Sequence, residues 1–192
     1  MSGCLGKWPF WITCLMIGIA VMNPPRAEAQ SPMSRLSAGL EVQGYPAGVI
    51  LAGQASLALS AADAVALYVG YNATDRGDFG QHDDEEGGGA GLGAAIRHSF
   101  GAGGGGWHMG ARTDLWFLDI DWSDAGGARV GMTAVTVLQP TARAGYAWLL
   151  FGQRLRLDAT LALGAEINIQ TQGEDVGEGV IALGGVGLSY RF

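Results

Sequence analysis

The sequence predicts an all-β fold, a transmembrane antiparallel up-and-down β-barrel of eight strands. Three observations lead to this prediction. The last segment, 180–192, alternates apolar residues with small or polar ones, and seven earlier segments do the same. A period of two residues is that of a strand whose two faces meet different surroundings. The connections also alternate between short turns and longer acidic loops, which is typical of membrane barrels.

The N-terminal 29 residues have the layout of a secretory signal peptide. Lys7 supplies a positive charge, an apolar run follows at 8–22, and Ala27-Glu28-Ala29 forms a small-residue cleavage site. A transmembrane anchor is the alternative, but the run of about 15 residues is shorter than the roughly 20 that a spanning helix needs. We therefore expect a signal peptide at 1–29 and one barrel domain at 30–192.

The composition of residues 30–192 excludes several classes of function. Both cysteines, Cys4 and Cys14, lie in the N-terminal segment, so the remaining chain predicts neither a disulfide nor a cysteine-bound metal. The same residues contain nine Arg, no Lys and 17 carboxylates. This acidic balance argues against a nucleic-acid partner, which needs a basic surface. No apolar stretch after residue 29 reaches helical spanning length, so a membrane location would depend on strands.

Glycine, proline and charged residues set the limits of the predicted strands. The strands are expected at 34–43, 49–60, 64–73, 90–100, 107–120, 130–149, 155–169 and 180–192. The polar segment 74–89 is expected to be a solvent loop because it holds six carboxylates. The sixth strand exceeds a single span of about 9–11 residues. It also contains Pro140, which cannot donate a ladder hydrogen bond, so we expect a bulge there or an extension beyond the membrane.

Large aromatic residues collect on the apolar face at the end that carries the short turns. Membrane barrels have outward aromatic girdles at their interfaces, whereas a soluble barrel points such residues inward. A soluble lipocalin-like barrel is therefore the less favoured alternative. The predicted periplasmic girdle comprises Phe100, Trp107, Tyr146, Trp148, Tyr190 and Phe192.

The alternating strand that ends in Phe192, together with the eight-strand pattern of 34–192, resembles the small bacterial outer-membrane barrels of the OmpA, OmpX and OmpW-like group. The resemblance lies in the architecture and includes no subfamily motif. It implies a location in a Gram-negative outer membrane, in contact with outer-membrane lipid and lipopolysaccharide, with both termini of the mature chain in the periplasm. It also implies that the barrel-assembly machinery recognises the C-terminal Phe192.

The polar face predicts a charged lumen. Eight strands leave room for side chains or one small ligand, not for an open channel. Buried charges are tolerated when they are paired, which favours a neutralising network. A narrow pore or a pocket for a small hydrophobic ligand is the alternative, because inward glycines leave volume and Ile181 and Leu183 are apolar. The predicted lumen residues are Glu41, Gln54, Arg97, Arg112, Asp114, Arg143, Arg156, Asp158, Glu166 and Arg191.

Twelve of the 17 carboxylates fall on or beside the longer connections. Clustered oxygen ligands suit Ca²⁺ or Mg²⁺, and such ions could bridge to lipopolysaccharide phosphates. The candidates for weak divalent-cation binding are Asp83, Asp84, Glu85 and Glu86. A solvated acidic rim without specific ions is the alternative. No confident metal site and no cofactor are expected.

Catalysis is not expected. Barrel enzymes of the outer membrane use a Ser with a nearby His and a carboxylate or amide. Here His98 and Ser99 are neighbours in one strand and point to opposite faces, His108 points inward, and His82 lies in the acidic loop. We therefore expect a non-enzymatic outer-membrane barrel with a structural or surface-interaction role. A narrow porin or hydrophobic-ligand transport barrel is the alternative, and a soluble ligand-binding barrel is a second.

Overall fold

A computed structural model describes residues 35–77 and 80–192. Eight antiparallel strands form a closed barrel in which each strand pairs with its sequence neighbours and the last pairs with the first. They are β1 (Leu36–Tyr45), β2 (Gly48–Ala58), β3 (Asp63–Asp75), β4 (Asp84–Ser99), β5 (Gly106–Asp124), β6 (Arg129–Leu150), β7 (Leu155–Gln172) and β8 (Gly179–Arg191). The predicted eight-stranded up-and-down barrel is confirmed. The predicted signal peptide lies outside the described residues.

The two ends of the barrel differ in their connections. One end, which we call the short-turn end, also holds the beginning of β1 and the end of β8. Its connections are 59–62, 100–105 and 151–154. The opposite end, which we call the loop end, has the connections 46–47, 76–83, 125–128 and 173–178. Short 3-10 turns occur at Ala102–Gly104 and Ala125–Gly127.

β4 begins earlier than the sequence predicts. Residues 84–89 pair with β3 and β5, for example Glu86 with Asp75 and Gly87 with Ile120. The prediction that all of 74–89 is a loop is therefore wrong for 84–89, and also for Thr74 and Asp75, which belong to β3. The inward side of this stretch is rich in glycine and its outward side is charged, so no apolar alternation marks the strand.

β6 runs without interruption through Pro140, which lies within its ladder to β5. The shift in register with β7 falls between Thr136 and Val137, and Ile169 of β7 is the extra residue. A bulge of this kind adds one residue to one of two paired strands. β6 has 22 residues, more than one membrane span of about 9–11 residues needs, and the bulge lies at Thr136 and not at Pro140.

The outer surface of the barrel is apolar over most of its height. Among its exposed side chains, Leu161 is 73% exposed and Leu67 is 67% exposed. Soluble monomers rarely expose contiguous apolar patches larger than a few hundred Å². Within 35–77 and 80–192, no helix is long and apolar enough to cross a membrane.

Candidate functional site

The centre of the lumen holds a network of ion pairs around Glu41. Arg112 Nη1 donates to Glu41 Oε1 at 2.6 Å, and Arg143 Nη2 donates to Oε2 at 2.7 Å. Arg112 also donates through Nε to Asp114 Oδ2 at 2.7 Å, and its guanidinium lies 3.8 Å from the centroid of the Tyr68 ring. Buried charges in such geometry neutralise one another. The network therefore ties β1, β5 and β6 together across the lumen.

A second ion pair lies nearer the short-turn end. Arg156 donates to both carboxylate oxygens of Asp158, through Nε at 2.7 Å and Nη2 at 2.6 Å. Arg156 Nη1 also donates to the main-chain oxygen of Gly104, and Arg191 Nη2 donates to that of Gly103 at 3.2 Å. The 3-10 turn between β4 and β5 is thereby held against the lumen.

A third group of contacts, two ion pairs made by Arg76, lies at the loop end, and Arg76 was not among the predicted lumen residues. Arg76 Nη1 donates to Glu85 Oε2 at 2.9 Å, and Arg76 Nη2 donates to Glu166 Oε2 at 3.3 Å. The Arg76 side chain is 3% exposed. The sequence could have predicted that Arg76 faces inward, because Asn72, Thr74 and Arg76 follow one another at every second position on the inward side.

The structure places the ten predicted lumen residues on the inner side of the barrel and joins most of them. Arg191 contacts a main-chain carbonyl. Among the described residues, the side chains of Gln54 and Arg97 take part in no hydrogen bond or ion pair. The residues joined by ion pairs are Glu41, Arg112, Asp114, Arg143, Arg156, Asp158 and Glu166.

Apolar side chains fill the lumen between the central network and the loop end. The Trp116 indole, 1% exposed, donates from Nε1 to Gln139 Oε1 at 2.6 Å. Ile181 and Leu183, which the sequence analysis associated with a hydrophobic pocket, are 5% and 4% exposed and belong to this packed core. We call the group the apolar plug: Ile50, Trp116, Leu118, Ile120, Val135, Val137, Ile181 and Leu183. Because it is packed, the expected pocket is absent at this position.

The inward glycines do not leave the lumen open. A Cβ on Gly91 would overlap the Trp116 ring, and one on Gly131 would overlap the ring of Trp122. At Gly145 it would lie 2.8 Å from His108 Nε2. At these three positions a large side chain of the neighbouring strand occupies the volume that the glycine leaves.

A small cavity remains between the central network and the short-turn end. Its lining includes Gln54, Tyr68, Arg97, His108 and Arg143, and its volume is about 40 Å³. A water molecule needs roughly 10–15 Å³ of such volume, so the cavity has room for a few waters. It is too small for a hydrophobic ligand.

His82 links its own connection, 76–83, to the end of β5 and to the connection 173–178. Its ring stacks on Trp122 with centroids 4.2 Å apart, and its Nδ1 lies 3.0 Å from Asp124 Oδ2. Its Nε2 lies 3.1 Å from the main-chain oxygen of Asp175. Both ring nitrogens face acceptors, so only the doubly protonated imidazolium donates to both.

The electrostatics of this contact favour the charged forms of both partners. Burial lowers the pKa of His82, but the hydrogen bond and the charge of Asp124 outweigh it and hold the pKa of His82 above its ordinary 6.5. The hydrogen bond from His82 in turn holds the pKa of Asp124 below 3.8. Arg129 adds ion pairs to Glu174 at 2.9 Å and Asp124 at 3.3 Å.

The four carboxylates proposed for a divalent cation do not converge. Asp84 and Glu86 are exposed on the outward side of β4, whereas Glu85 is 0% exposed and points inward. Glu85 accepts hydrogen bonds from Arg76 and from the main-chain N–H groups of Gln81 and Gly177. The prediction of a site shared by Asp83, Asp84, Glu85 and Glu86 is therefore wrong. In the part of the chain that the structure describes, no group of three or more His, Cys, Asp or Glu residues is placed to hold a metal ion.

The six residues of the predicted aromatic girdle lie at the short-turn end, on or directly after β4, β5, β6 and β8. Tyr146 lies between Trp107 and Trp148, with ring centroids 5.3 and 4.9 Å away, and Tyr190 packs edge-on against Phe192 at 5.6 Å. Five of the six side chains are 43–67% exposed, namely those of Phe100, Trp107, Trp148, Tyr190 and Phe192.

A second pair of outward aromatics, which the sequence analysis did not assign to a girdle, lies toward the loop end. Tyr71 and Phe117 are 54% and 53% exposed. On β5 the outward side chains from Trp107 to Phe117 are uncharged, and charge resumes at Asp119. The ten residue-to-residue steps from Trp107 to Phe117, of about 3.3 Å each at a tilt of about 40°, span about 25 Å, the height of the apolar band of a membrane barrel. We call this zone the apolar belt.

Histidine and serine residues at the short-turn end do not form a catalytic triad. His98 Nδ1 lies 2.7 Å from Asp63 Oδ1 on the outer surface, but Ser60 Oγ donates to Asp63 and not to His98. Ser99 and His108 face each other across β4 and β5, yet Ser99 Oγ has no hydrogen-bond partner. Activation of a serine requires a hydrogen bond to the histidine, and neither arrangement has one.

Comparison with known proteins shows similarity of fold alone. No protein-family model and no curated protein matches the chain. Neisserial surface protein A is 13% identical, with a TM-score of 0.51 over 82% of this chain and 94% of that one. The chain has the same fold. The resemblance to small eight-stranded barrels is thereby confirmed at the level of architecture.

Two further solved structures are similar to a lesser degree. The N-terminal β-barrel domain of Pseudomonas aeruginosa OprF is 18% identical, with a TM-score of 0.46 over 81% of this chain and 96% of that one. Outer membrane protein AlkL is 14% identical, with a TM-score of 0.45 over 88% of this chain and 95% of that one.

Proposed function

We propose that the protein is a non-enzymatic barrel of a Gram-negative outer membrane with a structural or surface-interaction role and a closed lumen. The observation that carries the proposal is the apolar belt. Its outward side chains are uncharged between Trp107 and Phe117 over about 25 Å, aromatic residues mark both limits, and carboxylates follow at the loop end. The fold shared with a Neisserial surface protein supports the same location.

The closed lumen supports a role without transport. The Glu41 network, the apolar plug and the Arg76 ion pairs lie one above another, and the cavity beside the Glu41 network has about 40 Å³. A small ion with its water would have to displace each layer in turn. The alternative functions, a narrow porin or a barrel that passes a hydrophobic ligand, would need a path through all three layers.

The difference between the two ends supports an orientation. Membrane barrels place short turns in the periplasm and longer loops outside. The short-turn end would then be periplasmic, together with both mature termini and with Phe192, which the assembly machinery would recognise. The acidic loops, fastened by His82, would face lipopolysaccharide and the exterior.

Conductance measurement tests the closed lumen. The purified, folded chain in a planar bilayer is expected to show no steady, resolved openings. A variant with Trp116→Gly and Leu118→Gly lacks two large members of the apolar plug, and openings in this variant would show that the assay detects this lumen. Steady openings of the unaltered protein would overturn the proposed closure.

Fractionation tests the location. The protein is expected in the outer-membrane fraction, with a heat-dependent shift in gel mobility that reflects unfolding of a stable barrel. Recovery from the periplasm without detergent would support the soluble alternative and contradict the membrane proposal.

A further inference from the structure

The short-turn end of the lumen concentrates positive charge in a protein that is acidic as a whole. The formal net charge of the chain is −7. A cleft at this end, which we call the arginine cleft, is lined by polar donors and small residues and by no carboxylate. Three serines and Gln153 contribute to its polar lining, and its arginines are Arg35, Arg97, Arg154, Arg156 and Arg191.

Four of the five arginines in the cleft have no counter-charge among the described residues, and one of the four, Arg191, donates only to the main-chain oxygen of Gly103. Arg156 is neutralised by Asp158, which it contacts through two nitrogens. Within 35–77 and 80–192, the guanidinium groups of Arg35, Arg97 and Arg154 take part in no hydrogen bond or ion pair. Arg97 is half-buried, and its Nε is buried without a partner. The charges around it are Arg156, Asp158 and Arg143, of which the one carboxylate is already engaged.

The donors in the cleft match one class of ligand. Guanidinium groups present planar pairs of N–H donors that fit the oxygens of phosphate, and serine hydroxyls add further donors. We propose that the arginine cleft binds a phosphate group, supplied either by free phosphate or by the headgroup of an anionic phospholipid. The volume of the cleft is about 20 Å³, room for one or two water-sized groups, so one or two phosphate oxygens would enter it and the rest of the group would stay at its mouth beside the exposed Arg154. The arginine cleft lies at the short-turn end, at the height of Tyr190 and Phe192. Lipid headgroups lie at this height if the apolar belt spans the membrane.

Arg97 gives the proposal a distinctive test. The Arg97 guanidinium is partly withdrawn from water without a partner, which costs stability, and an anion that pairs with it removes this cost. The change Arg97→Gln is therefore expected to leave the protein at least as stable as the unaltered chain when phosphate is absent. The same change should reduce the stabilisation by phosphate. If Arg97 only stabilised the fold, Arg97→Gln would lower the stability without phosphate and would leave the stabilisation by phosphate unchanged.

Thermal unfolding of the folded full chain in zwitterionic detergent measures both effects. Sodium phosphate is compared with sodium chloride at equal ionic strength and pH 7. Phosphate is expected to raise the unfolding temperature of the unaltered protein, and the phosphate affinity should fall by about tenfold or more in Arg97→Gln and in Arg154→Gln, since each loses a charged hydrogen bond. Arg129→Gln, which removes an exposed arginine at the loop end, serves as the charge-matched control and should keep the full shift.

Short-chain lipids distinguish the two sources of the phosphate group. Dihexanoyl phosphatidylglycerol is compared with the zwitterionic dihexanoyl phosphatidylcholine. A shift with phosphatidylglycerol alone assigns a lipid headgroup, and a shift with inorganic phosphate alone assigns the free ion. The proposal fails if neither probe shifts unfolding, or if the shift persists unchanged in Arg97→Gln and Arg154→Gln. Conductance is independent of this readout, so failure here is separable from failure of the proposed function.

Discussion

The substitution Glu41→Gln removes the central negative charge of the lumen with little change in volume. The Glu41 carboxylate accepts hydrogen bonds from Arg112, Arg143 and Gln43, the last at 2.8 Å. A glutamine amide would keep one acceptor oxygen and would turn an N–H₂ group toward a guanidinium. Two buried cations would then share the remaining acceptors.

The expected loss of stability depends on the hydrogen-bond partners that Arg112 and Arg143 keep in the variant. Removal of one partner of a buried ion pair costs about 3–5 kcal/mol. Arg112 keeps Asp114 at 2.7 Å, whereas Arg143 keeps only a 3.4 Å contact with the Tyr68 hydroxyl. We therefore expect a loss near the lower limit, about 3 kcal/mol, from the uncompensated charge of Arg143.

Urea unfolding in detergent measures the change through the midpoint at constant slope. Gln54→Ala is the matched control, because Gln54 lines the same cavity and its side chain has no partner among the described residues. This control should cost within about 1 kcal/mol. A cost of Glu41→Gln no larger than that of Gln54→Ala would refute the reasoning. Conductance should stay absent in Glu41→Gln, since the apolar plug is intact.

The other predictions concern the belt, the loops and the terminus. Leu161→Arg, at a site 73% exposed within the apolar belt, should cost about 2–4 kcal/mol in lipid, whereas Met132→Arg, outward but beyond the belt, should cost about 0–1 kcal/mol; equal costs would contradict the placement of the belt. The pKa of His82 is held above 6.5 and that of Asp124 below 3.8. The contact between His82 and Asp124 therefore contributes fully to the stability of the loops between about pH 3.8 and pH 6.5. It is lost as the pH rises through the folded pKa of His82 or falls through that of Asp124. Hydrogen exchange at 80–83 should speed up at both limits, and a pH-independent rate, after correction for intrinsic exchange, would contradict this. Phe192→Ala should lower outer-membrane assembly in cells while refolding in detergent is retained, and normal assembly would exclude a role in recognition.

Strand number and faces were predictable because the outward rows are continuous. On β7 every second residue from Leu155 to Ile169 is apolar, so the alternation identifies the strand without reference to its neighbours. The beginning of β4 was not predictable in this way. There Gly87 and Gly89 face inward and Glu86 faces outward, and a strand that lies beyond the apolar belt has no apolar row to reveal it.

The pairs within the lumen were not predictable from alternation. Arg143 is 102 positions from Glu41 along the chain, and Arg76 is 90 positions from Glu166. Which inward residues meet depends on the stagger of the strands around the barrel, and a period of two residues carries no information about stagger. The sequence therefore indicated which charges face inward, while their division into layers required the structure.

The glycines show why composition alone overestimated the free volume of the lumen. The chain contains 33 glycines, and those that face inward would suggest an open pore if each were considered separately. In the barrel, Gly91 lies beside Trp116 and Gly131 beside Trp122, so a large ring from one strand fills the space that the next strand leaves. Close packing of this kind leaves few voids larger than water. Small and large residues thus specify the closed lumen in pairs, and a row of glycines predicts a pore only if the facing row is small as well.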